Sequence, residues 1–163
     1  MAFNEGFEEN AVDDKRRFTI PAPYRREFEG HDIMLRKPLP GEEQCILLMT
    51  REQGDAYKKR EYQKIFARDQ RKAAKFLTLW SVITDCPQVD KAWRFIMRTD
   101  MMEAADLEAS GRAAFVSQGT QIQIWHPARL AEFVDATMAE LGSLGAEDDT
   151  GFISSAPDPA WLD

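Results

Sequence analysis

Cysteine and histidine are scarce in this chain of 163 residues: Cys45, Cys86, His31 and His126 are all it holds of either. Two cysteines cannot build a disulfide framework, and their spacing is not that of a metal site. They are expected as small buried thiols in a reducing compartment. His31, between Gly30 and Asp32, reads as part of a solvated turn, and His126, before Pro127, as the end of a strand. Neither suggests a histidine-based acid–base or metal centre. No apolar run approaches the ~20 residues needed to span a bilayer, so no membrane partner is expected. Met1-Ala2-Phe3-Asn4-Glu5 lacks the basic and then apolar regions of a secretory signal, and a cytoplasmic location is expected. Gly-x-x-x-x-Gly-Lys, Gly-x-Gly-x-x-Gly, His-Glu-x-x-His and Gly-x-Ser-x-Gly are all missing. The carboxylates lie scattered among basic neighbours, so none stands out as a general acid. An enzyme is therefore not expected, nor any cofactor or metal.

Positive charge is also in deficit. Twenty-one Lys and Arg stand against 28 Asp and Glu, a net charge of −7. That excludes a generic basic coat for nucleic acid, where binding is driven by counterions displaced around cationic surface. It leaves room for a narrow positive patch, since net charge does not say where charges sit. What is present is ordinary for a folded protein: 44% hydrophobic and 30% charged residues, in a length of about one domain by the rough measure of ~150 residues.

The pattern along the chain repeats. Residues from Phe7 to Val12 lead through Asp13-Asp14-Lys15-Arg16-Arg17 into Phe18-Thr19-Ile20, a strand ended by Pro21 and Pro23. Tyr24 to Phe28 suggests a short helix stopped at Gly30. Asp32 to Lys37 and Cys45 to Met49 suggest a hairpin around Pro38-Leu39-Pro40-Gly41. Thr50 and Gln53 have capping-box spacing, which predicts a helix to about Phe66. A second helix is predicted from Asp69, with Ala73, Phe76, Leu77, Trp80 and Ile83 as its apolar stripe. Residues 51–75 carry nine basic and four acidic side chains, either a solvated helix face or one that meets phosphate.

After Cys86-Pro87 the opening recurs. Asp90-Lys91-Ala92-Trp93-Arg94 leads into Phe95-Ile96-Met97; a short helix (Met101, Met102, Ala105, Leu107) follows. A second hairpin then joins Ala113–Ser117 to Gln121–Trp125. Pro127 starts a last helix with Leu130, Phe133, Val134, Met138 and Leu141 as its stripe. Asp13 and Asp90 are 77 residues apart, as are Arg17 and Arg94. An internal repeat of that size sets the fold expectation: an α+β chain of a first unit (1–52), a helical connection (53–84), a second unit (85–141) and an acidic tail (142–163). The tail holds five acids and no base and too little apolar surface to offset the entropy of ordering. Trp161 stands out in it as a frayed end or a short docking motif.

These features together resemble the MraZ family of bacterial transcription regulators, over roughly residues 1–141. The resemblance rests on the Asp-x-Lys-Gly-Arg element in each half, on Ile20-Pro21-Ala22-Pro23-Tyr24-Arg25, on the Ile122-to-Trp125 strand and on the helical insertion at 51–84. It implies two tandem swapped-hairpin β-barrel units of SpoVT/AbrB type. It also implies a ring-shaped homo-oligomer, commonly of about eight subunits, that binds double-stranded DNA at tandem promoter repeats of cell-division and cell-wall genes, associated with the nucleoid. Lys15 and Arg17 map onto the family's DNA-contacting positions, and Arg16 adds a third charge there. Asp90 and Arg94 map onto the second copy, which is expected to be mainly structural, with Asp13 stabilising the first turn. The chain departs from the family where Arg16 and Trp93 occupy the motif glycines and Ala92 replaces a common lysine. A Cβ at a positive-φ turn position costs about 1 kcal/mol or more.

Arginine suits bidentate contact with guanine edges or phosphate. One short basic turn binds weakly, and a ring multiplies it. A second reading keeps the fold and the oligomer but makes the chain a protein-interaction module that has lost DNA binding. In that case Asp13 and Arg17 simply form a strand-end ion pair.

Overall fold

The computed structural model describes residues 6–147, and the tail beyond Glu147, including Trp161, lies outside the described residues. Among the described residues the chain is α+β, with eight strands and five α-helices. They run β1 (Phe7–Ala11), β2 (Arg17–Thr19), α1 (Arg25–Phe28), β3 (Ile33–Arg36), β4 (Ile46–Thr50), α2 (Arg51–Arg68), α3 (Gln70–Ile83) and β5 (Thr84–Asp85). Then come β6 (Arg94–Ile96), α4 (Thr99–Ala104), β7 (Arg112–Ser117), β8 (Ile122–Trp125) and α5 (Pro127–Glu147).

Six strands form one antiparallel sheet in the order β1-β7-β8-β4-β3-β5, and β2 and β6 form a separate two-stranded ribbon. The two halves are interleaved rather than set side by side. β1 pairs with β7 of the second half, and β5 pairs with β3 of the first. The hairpins β3–β4 and β7–β8 are joined through β4 and β8. The expected α+β class is met, whereas in place of two closed barrels the described strands make a six-stranded sheet plus a ribbon.

Period-two alternation explains why the central strands read as unbroken apolar runs, since both faces of the sheet are covered. Ile33 and Leu35, Ile46 and Leu48, Ala113 and Phe115, and Ile122 and Ile124 face an inner core with Phe18, Tyr24, Phe28, Phe95 and Met101. The opposite face carries Met34, Leu47, Met49, Ala114 and Trp125 under the helices, with Phe76 and Trp80. Leu77 of the predicted α3 stripe is only partly buried there.

The α2 start follows its capping box. The Thr50 hydroxyl accepts from Gln53 N at 3.2 Å, while Gln53 Oε1 accepts from Thr50 N at 3.0 Å. Asp69 ends α2 and caps α3, accepting from Arg71 N and Lys72 N. Helix α5 runs to Glu147, six residues beyond the expected bound of its unit at 141. Leu, Ala and Glu around its glycines are good helix formers, and each glycine costs only ~1 kcal/mol. No helix among the described residues is long and apolar enough to cross a membrane.

Candidate nucleic-acid interface

The two Asp-to-Arg segments fold into the same turn. In the first, Asp13 Oδ1 accepts from Lys15 N at 2.9 Å and from Arg17 N at 2.7 Å, while Asp13 Oδ2 accepts from Arg17 Nε. The backbone closes the loop through Arg16 N to Asp13 O and Asp13 N to Arg17 O, both 3.2 Å. In the second, Asp90 Oδ1 accepts from Ala92 N and Arg94 N, and Oδ2 from Arg94 Nε, all at 2.9 Å. Short polar side chains that satisfy the backbone two residues on are what make such turns local.

The position that the motif reserves for glycine has φ +63° at Arg16 and +62° at Trp93. The left-handed turn is therefore kept despite the Cβ, and different neighbours hold each side chain. Arg16 Nη1 donates to the Thr99 hydroxyl, at the start of α4. Trp93 is partly buried against the inner core.

Electrostatics reinforce both aspartates. Partial desolvation pushes the Asp13 carboxyl up, and the bonds from Arg17 and Lys15 outweigh it, so its pKa ends lowered. Asp90 is also lowered, first by the backbone bond from Arg94. Both act as carboxylates at neutral pH.

The sequence-predicted residues divide spatially. Lys15 is exposed, and Arg16 and Arg17 are half-buried, so three consecutive cations crowd one turn. Arg94 stands at the other end of the ribbon, because β2 and β6 are antiparallel: Arg17 pairs with Ile96, and Thr19 with Arg94. Asp90 and Arg94 thus do not join the Lys15–Arg17 cluster. The bond from Arg17 to Asp13 uses Nε, which leaves the end-on edge formed by the two terminal amino groups for another partner. An Arg held this way is pre-oriented, and its terminal nitrogens still form a fork.

Sequence reasoning missed what surrounds the first turn. Thr99 anchors Arg16 from 83 residues away, which no local signal could indicate. Next to it, Asp100 binds Lys37 at 2.6 Å and Arg98 at 2.9 Å. Those bonds, first from Arg98 and then from Lys37, bring the Asp100 pKa down to about 2.

Elsewhere the expected thiols differ. Cys45 is buried, with burial pushing its pKa to about 12, whereas Cys86 is only half-buried. His126 caps α5, its Nδ1 accepting from Ala128 N at 3.1 Å. His31 lies 3.5 Å from Glu52.

Comparison with known proteins gives one consistent answer. The chain is 25% identical over 136 residues to the transcriptional regulator MraZ of Clavibacter michiganensis subsp. michiganensis (strain NCPPB 382), spanning 83% of this chain and 90% of that one. The same figures hold for the transcriptional regulator MraZ of Clavibacter sepedonicus. No family model matches the chain.

Proposed function

We propose that this chain, a divergent member of the MraZ family, is a sequence-specific DNA-binding transcription regulator that presents one basic turn per subunit of a ring-shaped homo-oligomer to tandem promoter repeats. The observation that carries this reading is the first turn itself. Asp13 fixes the backbone of Lys15 and Arg17, and the left-handed position is retained at Arg16. Three adjacent cations are therefore displayed on a rigid loop at the end of the ribbon. Rigid display lowers the ordering cost of each contact.

In this reading Lys15 meets phosphate, Arg17 reads a base edge or bridges phosphates, and Arg16 adds charge while tethered to Thr99. Asp90 and Arg94 hold the second turn as structure. The strand exchange between halves supports assigning residues 1–52 and 85–141 to two swapped-hairpin units. Cell-division and cell-wall promoters are the proposed targets, with the protein cytoplasmic and nucleoid-associated.

One observation favours the alternative, an oligomeric interaction module without DNA binding: both Arg16 and Arg17 already have intramolecular partners. Fluorescence anisotropy with the DNA upstream of the protein's own gene separates the two. Discrimination of at least tenfold over a scrambled duplex supports the regulator. Equal, weak affinity for both duplexes supports the module.

A further inference from the structure

The two halves are unequal on the helical face of the sheet. In the first half α2 leaves β4, and α3 then folds back beside it, burying Phe76 and Trp80 over Met34 and Met49. In the second half α5 leaves β8, and no described helix follows to lie beside it. A groove of about 530 Å³ remains there, floored by β1 and β7 and walled by α5, with Phe7, Val116, Leu130 and Val134 among its lining. Its apolar margin is wide: Phe7 is 63% exposed, Val134 46% and Met138 68%. The charged side chains on its walls are Asp135 and Glu9, the latter paired with Arg112 at 3.3 Å, which leaves Asp135 as the carboxylate that a cationic partner would meet.

The outer face of α3 has the opposite character. Lys72, Lys75, Leu79 and Val82 recur at three-and-four spacing, so they share one stripe. All four are exposed, Leu79 and Val82 to 43% and 59%. An apolar groove edged by carboxylates and an apolar ridge edged by ammonium groups are complementary in both respects.

We infer that the outer stripe of α3 from one subunit docks in the α5–β1–β7 groove of a second copy, taking the place that α3 fills within the first half. Groove and ridge are different surfaces of the chain, so the contact is heterologous. Such contacts propagate head to tail and close into rings when the rotation permits. The inference rests on the ring-forming reading above and assigns its interface. The chain's own segment 148–163 is a poorer occupant, because it brings Asp148, Asp149, Asp158 and Asp163 with no base to walls that are already acidic.

The test uses full-length chains and light scattering at micromolar concentration. One variant reverses the ridge, K72E/K75E, and the other reverses the groove, D135K. All three residues are exposed, and unchanged circular dichroism confirms that the variants fold. Each variant alone should dissociate at least tenfold more readily than wild type, toward the 18.7 kDa of one chain. Mixed in equal amounts they should reassemble, because an intact or charge-swapped pair then forms at every junction. A wild-type chain that is itself monomeric would overturn both this interface and the ring. Wild-type assembly with both variants at full mass would overturn the interface alone. Lower thermal stability of full-length W161S, together with assembly at full mass in K72E/K75E, would seat the chain's own C-terminal segment in the groove and overturn the interface.

Discussion

Arg16 and Trp93 accept matching hydrogen bonds from opposite ends of the same ribbon. Met97 N donates to Arg16 O at 3.2 Å, and Ile20 N donates to Trp93 O at 2.8 Å. Both carbonyls are aimed by a left-handed backbone, so each turn is locked to the strand that leaves the other half. Between them Phe18 and Phe95 stack with centroids 5.7 Å apart. The turn that would meet DNA is therefore built on the contact that joins the two halves.

The same substitution should have opposite effects at these two sites. Arg16→Gly removes the positive-φ cost of about 1 kcal/mol and loses one exposed bond to Thr99, so thermal unfolding should be unchanged or slightly later. Trp93→Gly relieves similar strain and strips an aromatic from the core edge. It should destabilise by about 1–3 kcal/mol net. Equal destabilisation by both would mean that Arg16 packs against the fold beyond its bond to Thr99.

Asp13→Ala separates turn geometry from net charge. Deleting a carboxylate beside three cations should strengthen DNA binding if electrostatics alone governed it. The loss of two backbone caps should instead loosen Lys15 and Arg17, cost about 1 kcal/mol of stability, and weaken specific binding. Binding isotherms and melting curves on the same variant decide between the two.

Gly54 lies buried in α2 against β3, where an added Cβ would sit 2.2 Å from Met34 Sδ. Alanine there improves helix propensity by ~1 kcal/mol, yet it should destabilise by about 1–3 kcal/mol through overpacking. Trp80→Ala, on the facing helix, should cost ~3–5 kcal/mol. Denaturant midpoints at constant slope would measure both.

Acid should selectively weaken the cluster beside the first turn. The Asp100 pKa is lowered from 3.8 to about 2, so its ion pairs stabilise the fold above pH ~4 and are lost as pH falls through about 2. The side chain is 44% exposed, and solvent screening holds the effect below about 1 kcal/mol. The melting-temperature gap between wild type and D100N should shrink toward zero from pH 6 to pH 2. A gap independent of pH would deny those pairs a stabilising role.

Much of this was legible locally. Thr50 and Gln53 announced the start of α2, Asp69 the break before α3, and the 77-residue offset of Asp13 and Arg17 announced two like turns. What was illegible depends on partners distant in sequence. Nothing local in Thr84–Asp85 marks a strand, because β5 exists only through its pairing with β3. Nor could the sequence show that β1 would cross to β7. The positive φ at Arg16 was legible only through the family motif, which has glycine at that position: arginine itself has no preference for it, and the surrounding bonds impose it. Helix α5 outran its expected end because neither Gly142 nor Gly145 breaks a helix whose other residues favour it.

The most direct test of the central claim is the salt dependence of binding to direct-repeat DNA. If the Lys15–Arg17 turn meets phosphate in several subunits at once, log affinity should fall steeply with log salt, by ~0.9 for each phosphate neutralised. Lys15→Ala should flatten that slope, Arg17→Ala should remove about 1–3 kcal/mol of specificity per engaged repeat, and Arg94→Ala should leave the slope as it is. A slope unchanged by Lys15→Ala and lost in a folded Arg94→Ala assembly would contradict the account and move the DNA-reading surface to the second turn.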